Sequence, residues 1–281
     1  MLNISRAKKI SGCSAPVRLI VFIGALSILW LPPALPIYWL LREDNNLASI
    51  LTMVLLFVEL LWFWQWWGRY VHDETNIYRQ YGLVTSRRNI SEFFRGLAIG
   101  FWLCLGLFVI EALFGWIEVA RPSVSIVIVT FEGLLSATGI ALAEELLFRG
   151  WLLDELQRDY GKRVCIWITA IAYAVAHFFK PITEIIRTAV TFPALVLLGI
   201  ALVLAKYQYG GRLGMSIGVH AGLVWAYYIV DVGQAIEYTN RVPVWITGID
   251  GNPIAGVMGL LFLLVLTWMI VVANKGQNGN L

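Results

Sequence analysis

The stretch Ala141-Leu142-Ala143-Glu144-Glu145-Leu146-Leu147-Phe148-Arg149-Gly150-Trp151 places three ionisable residues inside a long apolar segment. This segment extends from about Ser125 to Leu153, long enough to cross a bilayer. A charge at the centre of a membrane helix costs about 2.5–3.5 kcal/mol even on insertion scales, so two adjacent carboxylates facing lipid would be hard to keep. We therefore expect them to face the interior of a helix bundle, where buried ionisable groups mark a candidate functional site.

Helical spacing assigns different surroundings to the three charged residues. Glu145 and Arg149 stand four positions apart, so they share a helix face and can form an ion pair. Glu144 is turned about 100° away from Glu145 and has no partner on its own helix. The pattern predicts that Glu144 takes part in a chemical reaction and that Glu145 and Arg149 form the scaffold that supports it. Two alternatives stay open: a buried ion pair that only holds helices together, or a helix that ends near Glu144 with its charges at the membrane interface.

Composition identifies the class of protein. Of 281 residues, 59% are hydrophobic and 14% are charged, and the mean hydropathy is +0.74. Soluble domains average about 45–50% apolar and 25% charged residues, so these values indicate a membrane protein. The 13 Trp and 11 Tyr fit aromatic belts at the two bilayer interfaces. A formal charge of +3, scattered along the chain, does not favour nucleic acid as a partner.

Apolar windows of about 20 residues predict the membrane helices. The fold class is all-α, a polytopic bundle of about eight transmembrane helices, the first of which is expected to kink or end early at its prolines. The predicted segments are Leu19–Leu41, Leu47–Trp67, Leu97–Ala120, Ser125–Leu153, Val164–Phe179, Thr188–Ala205, Met215–Val230 and Ile254–Ala273.

The distribution of Lys and Arg predicts the orientation. With the N-terminus in the cytoplasm, 15 of the 21 basic residues lie on the cytoplasmic side, 5 on the other side and Arg149 within the membrane. Both termini are then cytoplasmic. We expect residues 1–120 to form N-terminal membrane helices with a cytoplasmic loop at about 68–96, either on the membrane surface or plainly solvated, with His72 exposed. Residues 121–281 are expected to form the catalytic core.

Two of the three histidines lie in membrane segments, His177 on the fifth and His220 on the seventh. Taken singly, each is better explained by an interhelical hydrogen bond. At about 1.5 Å per residue, Glu144, His220 and His177 lie roughly 15, 12 and 21 Å from the cytoplasmic edge. Ordinary tilts of about 20° reduce that spread. The depths predict one shared cavity, reached from the cytoplasm.

The membrane segments contain two further features, a stripe of glycines and two remote carboxylates. Glycines recur every four residues on the seventh helix, at Gly214, Gly218 and Gly222, a stripe that allows close backbone approach. His220 is about 200° from Gly218 and is expected to point away from the stripe. Glu111 and Glu132 lie too far from Glu144 to join its site. We expect them to make structural polar contacts, and a pair between the two is one such contact.

Three motifs resemble those of the CPBP family of intramembrane proteases, which includes the CAAX prenyl endoproteases and bacteriocin-processing enzymes and was once called the Abi family. They are Glu-Glu-x-x-x-Arg, an aromatic residue four positions before a His, and a further intramembrane His, and the resemblance covers roughly Ser125 to Val230. The matching residues are Glu144, Glu145, Arg149, Tyr173, His177 and His220. The family usually has Asn or Asp four residues after the last His, and here stands Val224.

The resemblance implies an intramembrane endopeptidase acting on a membrane-associated protein or peptide. Glu144, poised by His177, would activate the attacking water, and His220 would stabilise the oxyanion. Glu145 with Arg149 would hold the fourth helix in register. A metal-free reaction is ranked first. Glu144, His177 and His220 form the alternative zinc ligand set, since Glu and His ligate zinc and the family has been described as metalloproteases.

Two non-proteolytic functions remain as alternatives. A family member that has lost catalysis would act as a binding or assembly partner of other membrane proteins, and Val224 favours that hypothesis. A transporter with an intramembrane carboxylate relay is disfavoured, because the chain shows neither an inverted repeat nor a pair of Gly- or Pro-broken helices.

Overall fold

The computed structural model describes residues 4–121 and 124–277. Its α-helices are α1 (Ile4–Ser11), α2 (Ala15–Leu40), α3 (Asn45–Val71), α4 (Ile77–Gln80), α5 (Arg87–Leu113), α6 (Ile126–Glu144), α7 (Leu153–Gln157), α8 (Lys162–Ala176), α9 (Ile182–Thr188), α10 (Phe192–Gln208), α11 (Gly214–Asp231), α12 (Val244–Thr247) and α13 (Val257–Gln277). A π-helix covers Glu145–Leu152, and 3₁₀ turns cover Ala189–Thr191, Ile249–Gly251 and Pro253–Ala255.

The architecture confirms the predicted all-α membrane bundle. Five helices are long and apolar enough to cross a bilayer, namely Ala15–Leu40, Asn45–Val71, Arg87–Leu113, Ile126–Gln157 and Ile182–Gln208. The other three predicted segments correspond to α8, α11 and α13, so each of the eight contains a helix. Together these features define an integral membrane protein.

One short sheet interrupts the helices. Strand β1 (Ile117–Val119) pairs antiparallel with β2 (Ile236–Tyr238), with Glu118 opposite Glu237. Apolar-window counting does not detect three-residue strands. The pair ties the end of α5 to the chain that leaves α11.

Helix α2 includes Pro32, Pro33 and Pro36 and still continues to Leu40. The alternative that it ends early is therefore wrong. Proline removes one backbone donor and crowds the preceding turn, but it does not prevent a long membrane helix from continuing past it.

The chain divides into two compact units: Met1–Tyr81 with Asp154–Gly161, and Gly82–Leu153 with Lys162–Leu281. The domain boundary that the sequence predicts at residue 120 stays a prediction.

In the first unit, His72 is not the surface residue that was expected. Its side chain is 2% exposed, and Nε2 lies 2.6 Å from Oε1 of Glu155. Glu155 also accepts hydrogen bonds from Trp67 Nε1 at 2.7 Å and from Arg18 Nε at 2.8 Å. The sequence does not indicate this contact, because the partner of His72 lies 83 positions away in the chain.

The predicted loop at about 68–96 is shorter than expected. In the first unit, α3 continues to Val71, and in the second unit α5 already begins at Arg87. Asn89 and Glu92 are buried, and Arg212 donates to Glu92 at 2.8 Å. The start of α5 is therefore packed within its unit and is not a solvated loop.

In the second unit, α5 packs along α11 through the predicted glycine stripe. A Cβ at Gly218 would collide with the carbonyl oxygen of Phe93, and one at Gly222 with that of Leu97. The absence of side chains lets the two backbones approach closely, which is how small residues drive helix association in membranes. His220 lies on another face of α11 and stays available to the interior.

Candidate active site

A carboxylate, a guanidinium and an imidazole meet at the start of the π-helix. Glu145 Oε1 accepts a hydrogen bond from Arg149 NH1 at 2.8 Å, and both side chains are completely buried. The same oxygen lies 2.9 Å from Nδ1 of His220, which is 5% exposed. The expected Glu145–Arg149 pair is therefore present, and it also holds His220, which the sequence did not indicate.

The contact with Glu145 determines which ring nitrogen of His220 carries a proton and which one points to Glu144. An ionised carboxylate only accepts hydrogen bonds, so Nδ1 of His220 must carry the proton. Nε2 then points to Glu144, 3.8 Å from its Oε2, too long for a direct hydrogen bond. In the neutral ring Nε2 is an acceptor, and in the protonated ring it becomes a donor.

Tyr173 lies at the centre of the cluster. The Arg149 guanidinium carbon stands 4.3 Å from its ring centroid, a cation–π contact. Its ring also packs against His177 at 4.6 Å and His220 at 6.1 Å between centroids. The side chain of Tyr173 interacts in addition with the Glu144 carboxylate. One buried tyrosine thus contacts the ion pair and both histidines.

His177 follows directly after α8, which ends at Ala176. Its Nδ1 lies 2.9 Å from the carbonyl oxygen of Tyr173, and because a carbonyl only accepts, Nδ1 must be the donor. Nε2 is therefore free to accept a proton or a hydrogen bond. His177 is exposed in the structure, in contrast to the buried His220.

Glu144 differs from Glu145 in having no ion-pair partner on its own helix. Its Oε2 is buried and has no hydrogen bond, although the side chain as a whole is 28% exposed. Native proteins rarely leave a buried oxygen unsatisfied, and such groups concentrate where a ligand or water binds. The geometry agrees with the expectation that Glu145 is paired on its own helix and Glu144 is not.

One cavity of about 240 Å³ connects these groups. Its polar lining residues are Glu144, Tyr173, His177, His220, Tyr227 and Asn252. The rest of the wall is largely aliphatic, with Leu195, Leu198 and Val224 among its residues. Glu144, His177 and His220 thus share one cavity, as their depths predicted.

The π-helix at Glu145–Leu152 was not predicted from the sequence. A π turn bonds each N–H to the carbonyl five residues back, so it holds one more residue per turn than an α-helix and changes side-chain directions; such turns are frequent at functional sites. Two buried contacts support it: Lys206 Nζ donates to the carbonyl of Arg149 at 2.6 Å, and Arg149 NH2 donates to the carbonyl of Gly199. The one sign of this support in the sequence is Lys206, a basic residue near the end of the otherwise apolar helix α10.

The predicted zinc ligand set does not fit a metal site in this geometry. Among the described residues, no three His, Cys, Asp or Glu side chains form a group that could hold an ion. The contacts of Nδ1 with the Tyr173 carbonyl and with Glu145 do not bear on this question, because they leave Nε2 of His177 and of His220 unengaged. Metal independence stays a prediction.

The two remote membrane carboxylates do not pair with each other. Glu111 is completely buried, and neither of its carboxylate oxygens has a hydrogen-bond partner among the described residues. Glu132 is exposed and interacts with Tyr228 instead. Neither lines the cavity around Glu144.

Fold and site together define a helical integral membrane protein with a buried carboxylate–imidazole cluster on an apolar cavity. The family model "type II CAAX prenyl endopeptidase Rce1-like" matches residues 126–226, a segment that contains all six predicted site residues. This match confirms the resemblance to the CAAX protease family over that segment. Comparison with curated proteins and with solved structures gave no match.

Proposed function

We propose that this protein is an intramembrane endopeptidase that hydrolyses a peptide bond of a membrane-associated substrate through water activated by Glu144. The observation that carries the proposal is the unpartnered Oε2 of Glu144, on a cavity that it shares with His177 and His220. A base and two imidazoles facing one apolar cavity fit the requirements of acyl transfer to water.

The reaction needs one proton acceptor that later becomes a donor. Glu144 removes a proton from a water molecule, whose oxygen forms a bond to the scissile carbonyl carbon. The carbonyl π electrons move onto oxygen and generate the tetrahedral oxyanion. When that oxyanion collapses, the C–N bond breaks and the proton held by Glu144 passes to the leaving nitrogen. His177 accepts a hydrogen bond from the same water through Nε2, because Nδ1 is held by Tyr173.

His220 is the electrophilic group in this scheme. Glu145 holds its Nδ1, so the ring cannot rotate and Nε2 stays directed to the side of Glu144. In the protonated form Nε2 donates to the oxyanion, as preorganised donors do in acyl-transfer enzymes. Glu145, Arg149 and Tyr173 act as positioning residues, because they orient His220 and Glu144 without facing the substrate as bases.

A binding or assembly function is the second candidate, and Val224 favours it. This residue lies one turn after His220 and gives the cavity wall an apolar side chain at that position. Loss of one oxyanion donor costs about 10²–10³ in kcat, so a site without a second donor would be slow. A protein in which both Glu144→Gln and His177→Ala keep the full cellular function would be a binding partner.

Cleavage in isotopically labelled water tests the proposed function. Purified protein in liposomes is incubated with a library of lipid-anchored peptides in H₂¹⁸O, and products are analysed by mass spectrometry. Direct attack by water places one ¹⁸O atom in the new carboxyl terminus within a single turnover. We expect this label with the wild type and no product with Glu144→Gln. Product formed by Glu144→Gln, or no cleavage of any peptide by the wild type, would contradict the proposal.

Chelation separates the glutamate mechanism from the zinc mechanism. No three His, Cys, Asp or Glu side chains converge among the described residues, so we expect cleavage to survive stringent metal removal. The measurement is the initial rate after dialysis against a strong chelator, with residual zinc determined by mass spectrometry. A rate that falls with the zinc content and returns on adding zinc would establish a metalloprotease.

A further inference from the structure

The cavity is short of hydrogen-bond donors for a peptide. Nδ1 of His177 donates to the carbonyl of Tyr173, and Nδ1 of His220 donates to Glu145. Nε2 of His177 is then an acceptor, and only a protonated His220, which the oxyanion occupies, can donate into the cavity. The side chain of Tyr173 interacts with Glu144 and that of Tyr227 with Asp231. A peptide brings carbonyl oxygens into this apolar space, and an acceptor buried without a donor loses its hydrogen bonds to water.

Asn252 lies on the wall of the same cavity, in the segment between α12 and α13. Its side-chain oxygen Oδ1 accepts a hydrogen bond from the backbone N–H of Ile254 at 3.2 Å and caps the turn Pro253–Ala255. Because that N–H can only donate, the oxygen must be the atom that faces it. The amide nitrogen Nδ2 is left to donate, and no described residue accepts from it.

The backbone around Asn252 is held in an uncommon conformation. Asp250 has φ +55° and Gly251 has φ +69°, so two successive residues occupy the left-handed region. Gly248 has φ +116°, and a Cβ there would collide with the carbonyl oxygen of Asn252. Such positions persist only where surrounding contacts enforce them, and they cluster at functional sites. The loop therefore presents Asn252 in a defined position.

We infer that Asn252 binds the substrate by donating a hydrogen bond from Nδ2 to a main-chain carbonyl oxygen of the peptide in this cavity. The inference rests on the proposed endopeptidase function and adds a substrate-contacting residue outside the segment that matches the family model, 126–226. It also answers the problem raised by Val224: both residues lie on the cavity wall, and the donor that α11 lacks one turn after His220 comes from another element.

Asn252→Asp tests the donor without removing the cap. Aspartate accepts from the Ile254 N–H as asparagine does, but when ionised it has no donor. We expect kcat/KM for the peptide that the wild type cleaves fastest to fall about 10- to 100-fold, as for a buried acceptor left unpaired. The melting temperature should stay unchanged. Fluorescent peptides of the same library, whether cleaved or not, should bind the variant more weakly.

Two variants control for the added charge. Asn252→Gly stays neutral, has no side-chain donor and is tolerated at a cap position, so it should also lose activity and binding. Asn240→Asp makes the same substitution as Asn252→Asp at an exposed residue outside this cavity and should behave as the wild type. Full activity in Asn252→Gly would assign the loss in Asn252→Asp to its charge and overturn the inference.

Glu144→Gln in the same assay separates the inference from the function on which it rests. If Glu144→Gln is inactive while Asn252→Asp cleaves and binds like the wild type, Asn252 only caps its turn and the inference is wrong. If Glu144→Gln still cleaves, the proposed mechanism fails, and weaker peptide binding by Asn252→Asp continues to test the contact independently.

Discussion

Replacing Glu144 by glutamine is expected to lower kcat for peptide cleavage by about 10²–10⁴-fold, the range that a positioned general base contributes. Glutamine has nearly the same shape but cannot take a proton from water. The substitution replaces the carboxylate that carries the unpartnered Oε2 on the cavity by an amide, which is not a base. The measurement is single-turnover cleavage in liposomes, which separates chemistry from product release.

Glu132→Gln is the matched control for this experiment. It makes the same change on the same helix, α6, at an exposed carboxylate outside the cavity. We expect its rate to equal that of the wild type. Equal losses in both variants would mean that charge on α6 matters in general and would remove Glu144 from the mechanism.

Arg149→Ala is expected to lower the free energy of unfolding by about 3–5 kcal/mol, the cost of breaking a buried ion pair from one side. Glu145 is 0% exposed and would keep its charge without the guanidinium 2.8 Å away. The substitution also removes the cation–π contact with Tyr173 and the hydrogen bond to Gly199. Thermal denaturation in detergent should show a clear decrease in melting temperature.

Arg88→Ala controls for the loss of an ion pair as such. Arg88 pairs with Glu92 across four residues as well, but its side chain is 68% exposed. Pairs of this kind contribute about 0.3–0.5 kcal/mol, so we expect almost no change in melting temperature. Adding Glu145→Gln to Arg149→Ala should restore part of the lost stability, because no uncompensated charge then remains buried. A double variant less stable than Arg149→Ala would contradict this explanation.

Helical periodicity and hydropathy predicted correctly those features that depend on neighbours within one helix. Glu145 and Arg149 pair because four positions place them on one face, and this holds in the π-helix too. The close approach of α11 to α5 follows from its glycines, which have no side chain to keep backbones apart. The depths of Glu144, His177 and His220 followed from the rise per residue, so their shared cavity was predictable.

Contacts between distant parts of the chain were not predictable in this way. His72 is buried against Glu155, which lies 83 positions further along, and the two residues that follow it, Asp73 and Glu74, are acidic. Asn252 stands in a segment between helices that has no apolar periodicity, and only the cavity shows that it is on the same wall as Val224.

The sequence by itself determined that the protein is an all-α membrane bundle, because insertion cost and helical spacing act locally and leave a pattern in the chain. Its motifs also predicted the six residues that the structure brings together in the candidate site. Only the tertiary structure decided that Glu145 orients His220, 75 positions away, and that Lys206 supports the π-helix through the Arg149 carbonyl. These contacts depend on how helices rotate and pack against each other, which is set by the whole unit and not by the spacing of residues on any one helix.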